Sequence, residues 1–398
     1  MQRHEAVQRS EPRLLAFLKD VLVCSLGAYG GPESHMSVFI DQLVVKRTYL
    51  SEAELIELIA LCSILPGPTS TQTIVSIGYK IGGPLTAFLT MLVWALPVLT
   101  LMTILSFLYQ FLAVYEVSYD VLRYIGPMAV GFIVVAAFRI GRKVVNDLST
   151  AFLMLLGAVT TYVVRAPWVF PAVLVAGGIV SILQAREPGI WHRVTLHPPW
   201  RYLLAFATIA VGGIVAAAVT QHRLVELFES FYRYGYLVFG GGQVVVPVMH
   251  SELVEVRGFM TNQEFLTGYG LVQGLPGPMF SFAAYAGGMA ARSGTAAAQV
   301  AGAVAGGLGI FLPGLLLIYF VYPVWEGLKQ MKAVRIALRG INAVAGGLIA
   351  IAAVILLQAS GLYLENLLAT ALSIALLVSR KVPAPLIVGG AVFAGFVI

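Results

Sequence analysis

Apolar residues follow one another in long runs along almost the whole chain, and only short polar segments separate these runs. Runs of this length and composition predict helices that cross a membrane. The predicted apolar helices lie at about residues 14–29, 85–112, 122–138, 149–164, 168–183, 202–219, 225–239, 296–322, 339–357, 362–378 and 383–398. The pattern therefore predicts an all-α polytopic membrane protein.

Two apolar regions are interrupted by the same four residues, Leu-Pro-Gly-Pro, at positions 65–68 and 275–278. Proline lacks an N–H and clashes with the preceding turn, and glycine adds backbone freedom, so an unbroken helix cannot continue through this motif. In a membrane, such a break is tolerated only where it is buried in protein or lines a polar cavity. Two breaks at matching positions therefore predict a binding site.

The two halves of the chain are related by a constant offset, since Pro276 lies 210 positions after Pro66. The same offset, and an offset of 216 further along, pairs Gly30 with Gly240, Gly31 with Gly241, Glu54 with Glu264, Pro97 with Pro313 and Arg123 with Arg339. Matches without a gap over roughly fifty positions indicate an internal duplication. We divide the chain into an N-terminal repeat (1–184), a basic cytoplasmic loop with a linking transmembrane helix (185–220) and a C-terminal repeat (221–398).

Charge changes this picture in two ways. Only 11% of the residues are charged, against about a quarter in soluble domains, which excludes a soluble protein. The net charge of +6 lies mostly in loops, where the preference for basic cytoplasmic loops explains it, so it predicts no nucleic-acid partner. Basic residues follow the span at 122–138 but precede its counterpart at 339–357. Equivalent helices therefore run in opposite directions, and the halves form an inverted repeat.

The same preference places the N-terminus in the cytoplasm. If each Pro-Gly-Pro element crosses the membrane once, the chain has about 13 transmembrane segments with broken helices at the two motifs. A re-entrant hairpin at each motif is the alternative, and the sequence leaves it open.

The candidate chemistry is anion binding at the breaks. A helix that starts after a break presents free N–H groups and a partial positive charge, which favour an anion. Glycine runs permit close backbone approach, and hydroxyl or amide groups can bond oxyanion oxygens. The residues predicted on this basis are Gly30, Gly31, Thr69, Ser70, Thr71, Gln72, Gly240, Gly241, Gly242, Gln243, Gln273 and Ser281. The alternative interpretation is that the breaks are hinges or tight helix crossings.

Two charged residues are further candidates. Arg123 and Arg339 are equivalent in the repeat, and a guanidinium can bind an oxyanion through two parallel hydrogen bonds. Snorkelling to the membrane interface is the alternative for both. Glu54 and Glu264 lie in first helical turns, where capping explains them. His35 has no metal-ligand spacing around it and is interpreted as structural, so no metal or cofactor is predicted.

The glycine and proline motifs together resemble the chromate ion transporter family in its long, two-domain form. They are Tyr29-Gly30-Gly31-Pro32, Leu65-Pro66-Gly67-Pro68, Phe239-Gly240-Gly241-Gly242 and Gln273-Gly274-Leu275-Pro276-Gly277-Pro278. The resemblance covers nearly the whole chain. It departs from the family at Tyr29, where Phe is common. In addition, Ser63 stands where the second half has Gln273, so the two half-sites are chemically unequal.

The resemblance implies a secondary transporter of the cytoplasmic membrane that expels chromate, a sulfate-like oxyanion, and confers chromate resistance. It also implies a role in transport for the motif residues Gly30, Gly31, Pro32, Pro66, Gly67, Pro68, Gly240, Gly241, Gly242, Pro276, Gly277 and Pro278. Membrane potential or a proton gradient is the expected driving force.

Two other classes stay open. One is an importer or channel for sulfate or another small anion. The other is a membrane enzyme or scaffold with purely structural breaks, which the absence of ATP-binding, zinc-protease and serine-hydrolase motifs disfavours. The expected partners are the oxyanion and the lipid bilayer, and a homodimer is compatible with such a protein.

Overall fold

The computed structural model describes residues 14–114, 121–164, 166, 168–185, 197–237, 239, 242–329 and 331–397, and every regular element within them is helical. The helices are α1 (Leu14–Gly27), α2 (Pro32–Phe39), α3 (Glu52–Ile64), α4 (Thr69–Val114), α5 (Ile125–Val144), α6 (Leu148–Val163), α7 (Val169–Gln184), α8 (Trp200–Thr220), α9 (Arg223–Leu237), α10 (Val245–His250), α11 (Asn262–Gln273), α12 (Phe282–Ala290), α13 (Ala296–Val321), α14 (Trp325–Leu328), α15 (Lys332–Ala359), α16 (Leu364–Ser379) and α17 (Ala384–Val397). Turns of π-helix extend α2 (Ile40–Lys46) and α10 (Ser251–Val256), and short 3-10 turns precede α10 (Gly242–Val244) and α12 (Met279–Ser281).

The helix α4 is two antiparallel helices rather than one. Gly82 and Gly83 leave helical geometry, with φ of −151° and +72°. The Trp94 side-chain N–H donates to the Thr71 hydroxyl over 3.1 Å although the two residues are 23 positions apart. In a straight helix they would be about 35 Å apart. The predicted helix end at Gly82-Gly83 is confirmed, and we call the two parts α4a (69–81) and α4b (84–114).

The chain also reverses direction at the first Pro-Gly-Pro motif. Lys80 of α4a bonds Glu54 of α3 over 2.6 Å, and Cys62 lies 3.5 Å from the hydroxyl of Ser76. A continuous element would separate Glu54 and Lys80 by about 39 Å. The chain therefore forms a helical hairpin, hairpin 2, made of α3 and α4a with the break at its tip.

The second motif is the tip of a matching hairpin, hairpin 4, made of α11 and α12. Arg292 bonds Glu264 over 2.9 Å, and the Tyr285 hydroxyl donates to the Glu264 carbonyl over 3.1 Å. The expectation that each Pro-Gly-Pro element crosses the membrane once is therefore wrong. The count of about 13 transmembrane segments, which depended on that single crossing, loses its basis.

The first glycine motif lies where a further hairpin, hairpin 1, turns, and α9 and α10 form a fourth hairpin, hairpin 3. In hairpin 1, α1 lies beside α2 and its π-helical extension. This is seen from Asp20 on α1, which accepts hydrogen bonds from Gln42, Arg47 and Tyr49 over 2.6–3.0 Å. In hairpin 3, α9 folds back on α10, and the contacts are Arg233 to Glu252 over 3.0 Å and Arg257 to Glu226 over 3.3 Å. The predicted site residues Gly240 and Gly241 lie outside the described residues.

Polar and charged contacts hold the open end of every hairpin, away from its tip. At α3 and α11, Ser51 with Glu54 and Thr261 with Glu264 form complete capping boxes, as the sequence predicted. The counterpart of Lys80 by offset is Ala290, yet Arg292 takes over the same ion pair two positions later. The duplicated hairpins therefore keep their charged ends even where the sequence positions have shifted.

The helices α5, α6 and α7 of the first half and α15 and α16 of the second half pack together into a second group. The helix α15 packs against α5, α6 and α7, and α16 packs against α5. Glycines permit the close approach, since Gly347 lies against the Met154 carbonyl and Gly177 against the Gly340 carbonyl. The helix α15 begins seven residues before the predicted span at 339–357, which places Arg339 inside the helix.

Several described helices suit a bilayer. Five helical regions are long and apolar enough to cross a membrane: Thr69–Leu112, Ile125–Val144, Trp200–Thr220, Ala296–Leu328 and Lys332–Ala359. The first of these regions contains α4a and most of α4b. Four shorter apolar helices, α6, α7, α16 and α17, accompany them. None of the residues of α8 is buried by protein, as expected for a helix that faces lipid. The polytopic membrane class is confirmed.

Candidate functional site

The tips of hairpins 1 and 4 touch each other, and the contact joins the two halves of the chain. The Gly277 N–H donates to the carbonyl of Ala28 over 2.8 Å, directly before the Gly30-Gly31 turn. Gly277 has a φ of +100°, and an added Cβ would lie 3.0 Å from Val98 on α4b. The first glycine motif and the second Pro-Gly-Pro motif thus form one contact region.

The tip of hairpin 2 reaches the same region from another side. A Cβ added at Gly314 of α13 would lie 3.4 Å from the Gln72 amide and 3.7 Å from Pro68. Gly314 follows Pro313, just as Val98 follows Pro97 in the other half. The second break therefore packs against Val98 on α4b of the first half. The first break packs against Gly314 on α13 of the second half. This reciprocal exchange is typical of parts related by a two-fold axis.

A buried polar network links hairpins 1 and 2. The His35 Nδ1 atom lies 3.0 Å from the Ser70 hydroxyl, and the His35 ring packs edge-on against Trp94 with 5.4 Å between ring centroids. Trp94 donates to Thr71, and the Ser25 hydroxyl donates to the Trp94 carbonyl over 2.7 Å. All five residues are at least nine-tenths buried, so this network fixes the first turn of α4a.

Two glutamines brace the breaks from within. The Gln72 amide donates to the Pro66 carbonyl over 2.8 Å, and the Gln273 amide approaches the Met279 sulfur at 3.3 Å. Gly67, which lies between the flanking prolines, has a φ of +127°. Both glutamines are predicted oxyanion ligands, and the structure shows that part of each side chain already has an internal partner.

Three buried polar atoms near the tips have no hydrogen-bond partner among the described residues. They are His35 Nε2, Gln72 Oε1 and Ser281 Oγ. Burying such a group without a partner costs about 1–3 kcal/mol, and a cost of this kind is expected at functional sites. Together with the free N–H groups at the start of α4a, His35 can donate to a small oxyanion when its ring proton is on Nε2. The Gln72 Oε1 atom can only accept a hydrogen bond, so it does not bind the anion directly.

The structure places the remaining predicted residues as follows. Gly30 and Gly31 form the turn of hairpin 1, Pro32 begins α2, and Thr69 begins α4a. Gly242 and Gln243 belong to the 3-10 turn that packs against α15. The tips are closed around one another, because Gly67, Pro68, Gly277 and Pro278 are buried. Two cavities among the described residues, one beside His250 and Glu255 and one beside Arg233 and Arg257, are not lined by a tip residue.

Arg123 and Arg339 contact acids rather than a tip. Arg123 donates to the Tyr124 hydroxyl over 2.7 Å and lies 3.9 Å from Glu365 at the start of α16. Arg339 forms an ion pair with Asp147, the N-cap of α6. The backbone N–H of Thr150, the Thr150 hydroxyl and the charge of Arg339 hold the pKa of Asp147 below its usual range. Each arginine thus joins its own half to the other half.

Sequence reasoning missed Trp94 and Ser25 and interpreted His35 as structural. Trp94 and Ser25 are 69 positions apart, and no local pattern relates them. The uninterrupted polar run from Thr69 to Thr73 in an apolar region was the available signal for the network.

Comparison with known proteins gives the family. The family model described as chromate transporter matches residues 15–182 and again 225–396. A chromate transport protein of Pseudomonas aeruginosa is 30% identical over 355 residues, which cover 85% of this chain and 79% of the relative. A probable chromate transport protein of Synechococcus elongatus is 26% identical over 385 residues, covering 94% and 93%. A chromate transport protein of Cupriavidus metallidurans is 25% identical over 373 residues, covering 93% and 89%. No solved structure matches the chain.

Each of the two family matches contains one pair of hairpins and the helices that follow it. The architecture is that of a multi-pass membrane protein. Both Pro-Gly-Pro motifs and the first glycine motif lie within these matches. The chain is a transporter rather than an enzyme, and it belongs to the chromate transporter family.

Proposed function

We propose that this protein is a secondary active transporter that exports chromate across the cytoplasmic membrane and thereby confers chromate resistance. The observation that carries the proposal is the meeting of hairpin tips from both halves, seen in the bond from Gly277 to Ala28. The relatives named as chromate transport proteins supply the substrate.

In the proposed mechanism, the dianion sits among the tips and is exposed to one side of the membrane at a time. The first turn of α4a offers N–H groups and the positive end of the helix dipole. Hairpins 1 and 2 are shorter than the bilayer core, since α1 and α3 have 14 and 13 residues and span about 20 Å each against about 30 Å. Their tips therefore end inside the protein.

The inverted arrangement of the two repeats is part of this proposal, with the N-terminus in the cytoplasm and the membrane being the inner one. The reciprocal ion pairs of Arg123 with Glu365 and Arg339 with Asp147 support a two-fold relation between the halves. The basic residues Arg142 and Lys143 end α5, whereas Lys332 begins α15, and this charge placement supports opposite orientations.

The energetics favour export. An inside-negative potential does work of about 2.3 kcal/mol per charge per 100 mV, so a dianion leaving the cell is driven outward without any second ion. Exchange with protons is the other driving force that we consider. The alternative function is an importer or channel for sulfate or another small anion, which the same tip chemistry would serve.

Transport into inverted membrane vesicles tests the proposal. We expect respiring vesicles that contain the protein to accumulate chromate, sulfate to compete, and an uncoupler to abolish the uptake. A variant with Pro66, Gly67 and Pro68 all replaced by alanine should be present in the membrane but inactive. Gly258→Ala is the control. Gly258 lies at the open end of hairpin 3 and has nothing within 4 Å of an added Cβ, and its φ of +59° is close to the 50° that its non-glycine counterpart Thr48 adopts.

Each outcome separates the candidates. Chromate uptake by respiring vesicles that is lost when Pro66, Gly67 and Pro68 are replaced supports export of chromate. Accumulation of sulfate by intact cells, with no chromate uptake by inverted vesicles, would instead support the importer. Uptake that survives loss of the break would remove the tips from the site.

A further inference from the structure

His35 is the most unusual polar residue of the tip region. It follows the turn of hairpin 1, is 2% exposed, and uses only one ring nitrogen within the described protein: Nδ1 lies 3.0 Å from the Ser70 hydroxyl. The other nitrogen, Nε2, is buried and has no hydrogen-bond partner in the part of the chain that the structure describes. Because both nitrogens belong to one small ring, Nε2 also lies beside the first turn of α4a.

The repeat shows that this arrangement is not required by the fold. At the same offset of 210 positions, Val245 replaces His35 and Phe280 replaces Ser70. Hairpins 3 and 4 therefore form without the pair. A polar pair that only one copy contains is not needed to hold two hairpins together, so we look for its role in the site.

The second buried histidine, His250, shows what a satisfied histidine looks like in this protein. It is equally buried at 2% exposed, and its Nε2 lies 2.7 Å from the Asn262 side-chain oxygen. It belongs to hairpin 3, and its ring packs edge-on against Phe265. His35 differs from it in having one nitrogen without a protein partner.

We propose that His35 is a direct ligand of the transported oxyanion, which it binds as a neutral imidazole through its Nε2–H. In the tautomer that we propose, the ring proton is on Nε2, and Nδ1 accepts a hydrogen bond from the Ser70 hydroxyl 3.0 Å away. A neutral donor binds an oxyanion oxygen without adding a proton to the cargo, so the full charge of the dianion remains available to the membrane potential. This inference rests on the proposed function and names one residue of its site.

The inference predicts a difference between substitutions at one position. His35→Gln keeps an N–H donor of similar reach, whereas His35→Phe keeps the ring shape and removes the donor. We expect His35→Phe to raise the KM for chromate uptake about tenfold, as expected for one lost hydrogen bond to a charged group, with a much smaller change in kcat. His35→Gln should recover most of the affinity, and His250→Gln should leave KM unchanged.

Equilibrium binding gives a second readout that does not depend on transport. Purified protein in detergent is titrated with chromate and separately with sulfate, and the rise in melting temperature is followed. If His35→Phe fails to fold, Ser70→Ala takes its place, because it frees Nδ1 and lets the proton leave Nε2. We expect Ser70→Ala to weaken the binding of both anions about threefold, a fraction of one hydrogen bond.

The outcomes distinguish this inference from the proposed function. Equal anion binding by wild type, His35→Phe and Ser70→Ala would overturn the role of His35 while leaving chromate transport intact. A His35→Gln variant as weak as His35→Phe would also overturn it, since a purely structural ring would not be rescued by an amide. Wild-type protein that binds neither anion would remove the proposed function together with the inference.

Discussion

The two Pro-Gly-Pro hairpins share a backbone but differ in chemistry. Gly67 and Gly277 both have a positive φ, of +127° and +100°, and both hairpins start from a capping box. After the first break the helix reads Thr-Ser-Thr-Gln-Thr (69–73), and after the second the chain reads Met-Phe-Ser-Phe-Ala (279–283). Duplication therefore preserved the turn and left the side chains of the following turn free to diverge.

The difference in side chains supports separate roles for the two tips in the proposed mechanism. In hairpin 2, the residues after the break bond His35, Trp94 and Pro66. In hairpin 4, Phe282 packs edge-on against Phe265 with 5.1 Å between ring centroids. We interpret the first tip as the polar surface that holds the anion and the second as an apolar surface that packs over it. An anion held by one half can be uncovered by movement of the other half.

The largest expected effect tests the shared backbone. Gly67→Ala places a Cβ 2.7 Å from the Gln72 amide at a φ of +127°, and strain of this kind costs about 1–3 kcal/mol. We expect chromate uptake to fall more than tenfold, and Gly277→Ala to behave in the same way. Gly258→Ala should retain activity because its counterpart Thr48 already adopts a φ of 50°.

Uptake by inverted vesicles at matched protein levels measures all three glycine variants. Full activity of Gly67→Ala would show that the tip tolerates rearrangement and that its backbone is not part of the site.

The second prediction compares the stability of variants at Thr71 and Ser281, which are equivalent positions in the two tips. Thr71→Val leaves the buried Trp94 N–H without its acceptor, which costs about 1–3 kcal/mol of unfolding free energy. Ser281→Ala removes a hydroxyl that has no partner among the described residues, so stability should be unchanged or higher. Thermal unfolding in detergent compares the two variants.

Chromate uptake by the Ser281→Ala variant tests whether the second tip contributes a ligand. Normal uptake is expected if the second tip only packs over the anion. A strong loss of uptake with unchanged stability would place Ser281 among the ligands and contradict the division between the tips.

A smaller effect is expected at the two arginines. Arg123→Gln and Arg339→Gln each remove an ion pair between the halves, and partly exposed pairs contribute about 0–1 kcal/mol. We expect uptake to fall by about two- to threefold, on the scale of that free energy. Glu365→Gln and Asp147→Asn should have the same effect as their arginine partners, and Asn preserves the helix cap.

Double variants decide between an ion pair and a ligand. If Arg123 only pairs with Glu365, the variant that lacks both charges is no worse than either single variant. A loss confined to Arg123→Gln would show that this arginine binds the anion, and its Nε atom, which is buried without a partner among the described residues, is the group to examine.

The smallest effect concerns the open ends of hairpins 2 and 4. Glu54→Gln and Glu264→Gln keep the capping box, which accepts Gln, and remove only the ion pairs with Lys80 and Arg292. The Glu264 side chain is 13% exposed and the Glu54 side chain 34%, so the second variant should lose more stability. We expect less than about 1 kcal/mol for Glu54→Gln, read as a small fall in melting temperature with uptake unchanged.

Much of the architecture was predictable because it depends on local pattern. Apolar runs predicted α5 to α8 and α15 to α17 within two or three residues, except that α5 ends six residues later and α15 begins seven residues earlier than predicted. Both capping boxes and the helix end at Gly82-Gly83 also follow from short motifs. The direction of the chain after each Pro-Gly-Pro motif was not predictable, since a break permits either continuation or reversal. Contacts between distant residues, such as Lys80 with Glu54, decide between them.

The sequence by itself determined the membrane class, the duplication, the breaks and the polar run that follows the first break. These are properties of composition, offset and backbone chemistry, which act over a few residues at a time. Only the tertiary structure decided that the breaks are hairpin tips, that His35 meets Ser70, and that both arginines pair with acids. Such contacts join residues far apart in the chain, and they depend on how whole helices pack, which no local pattern specifies.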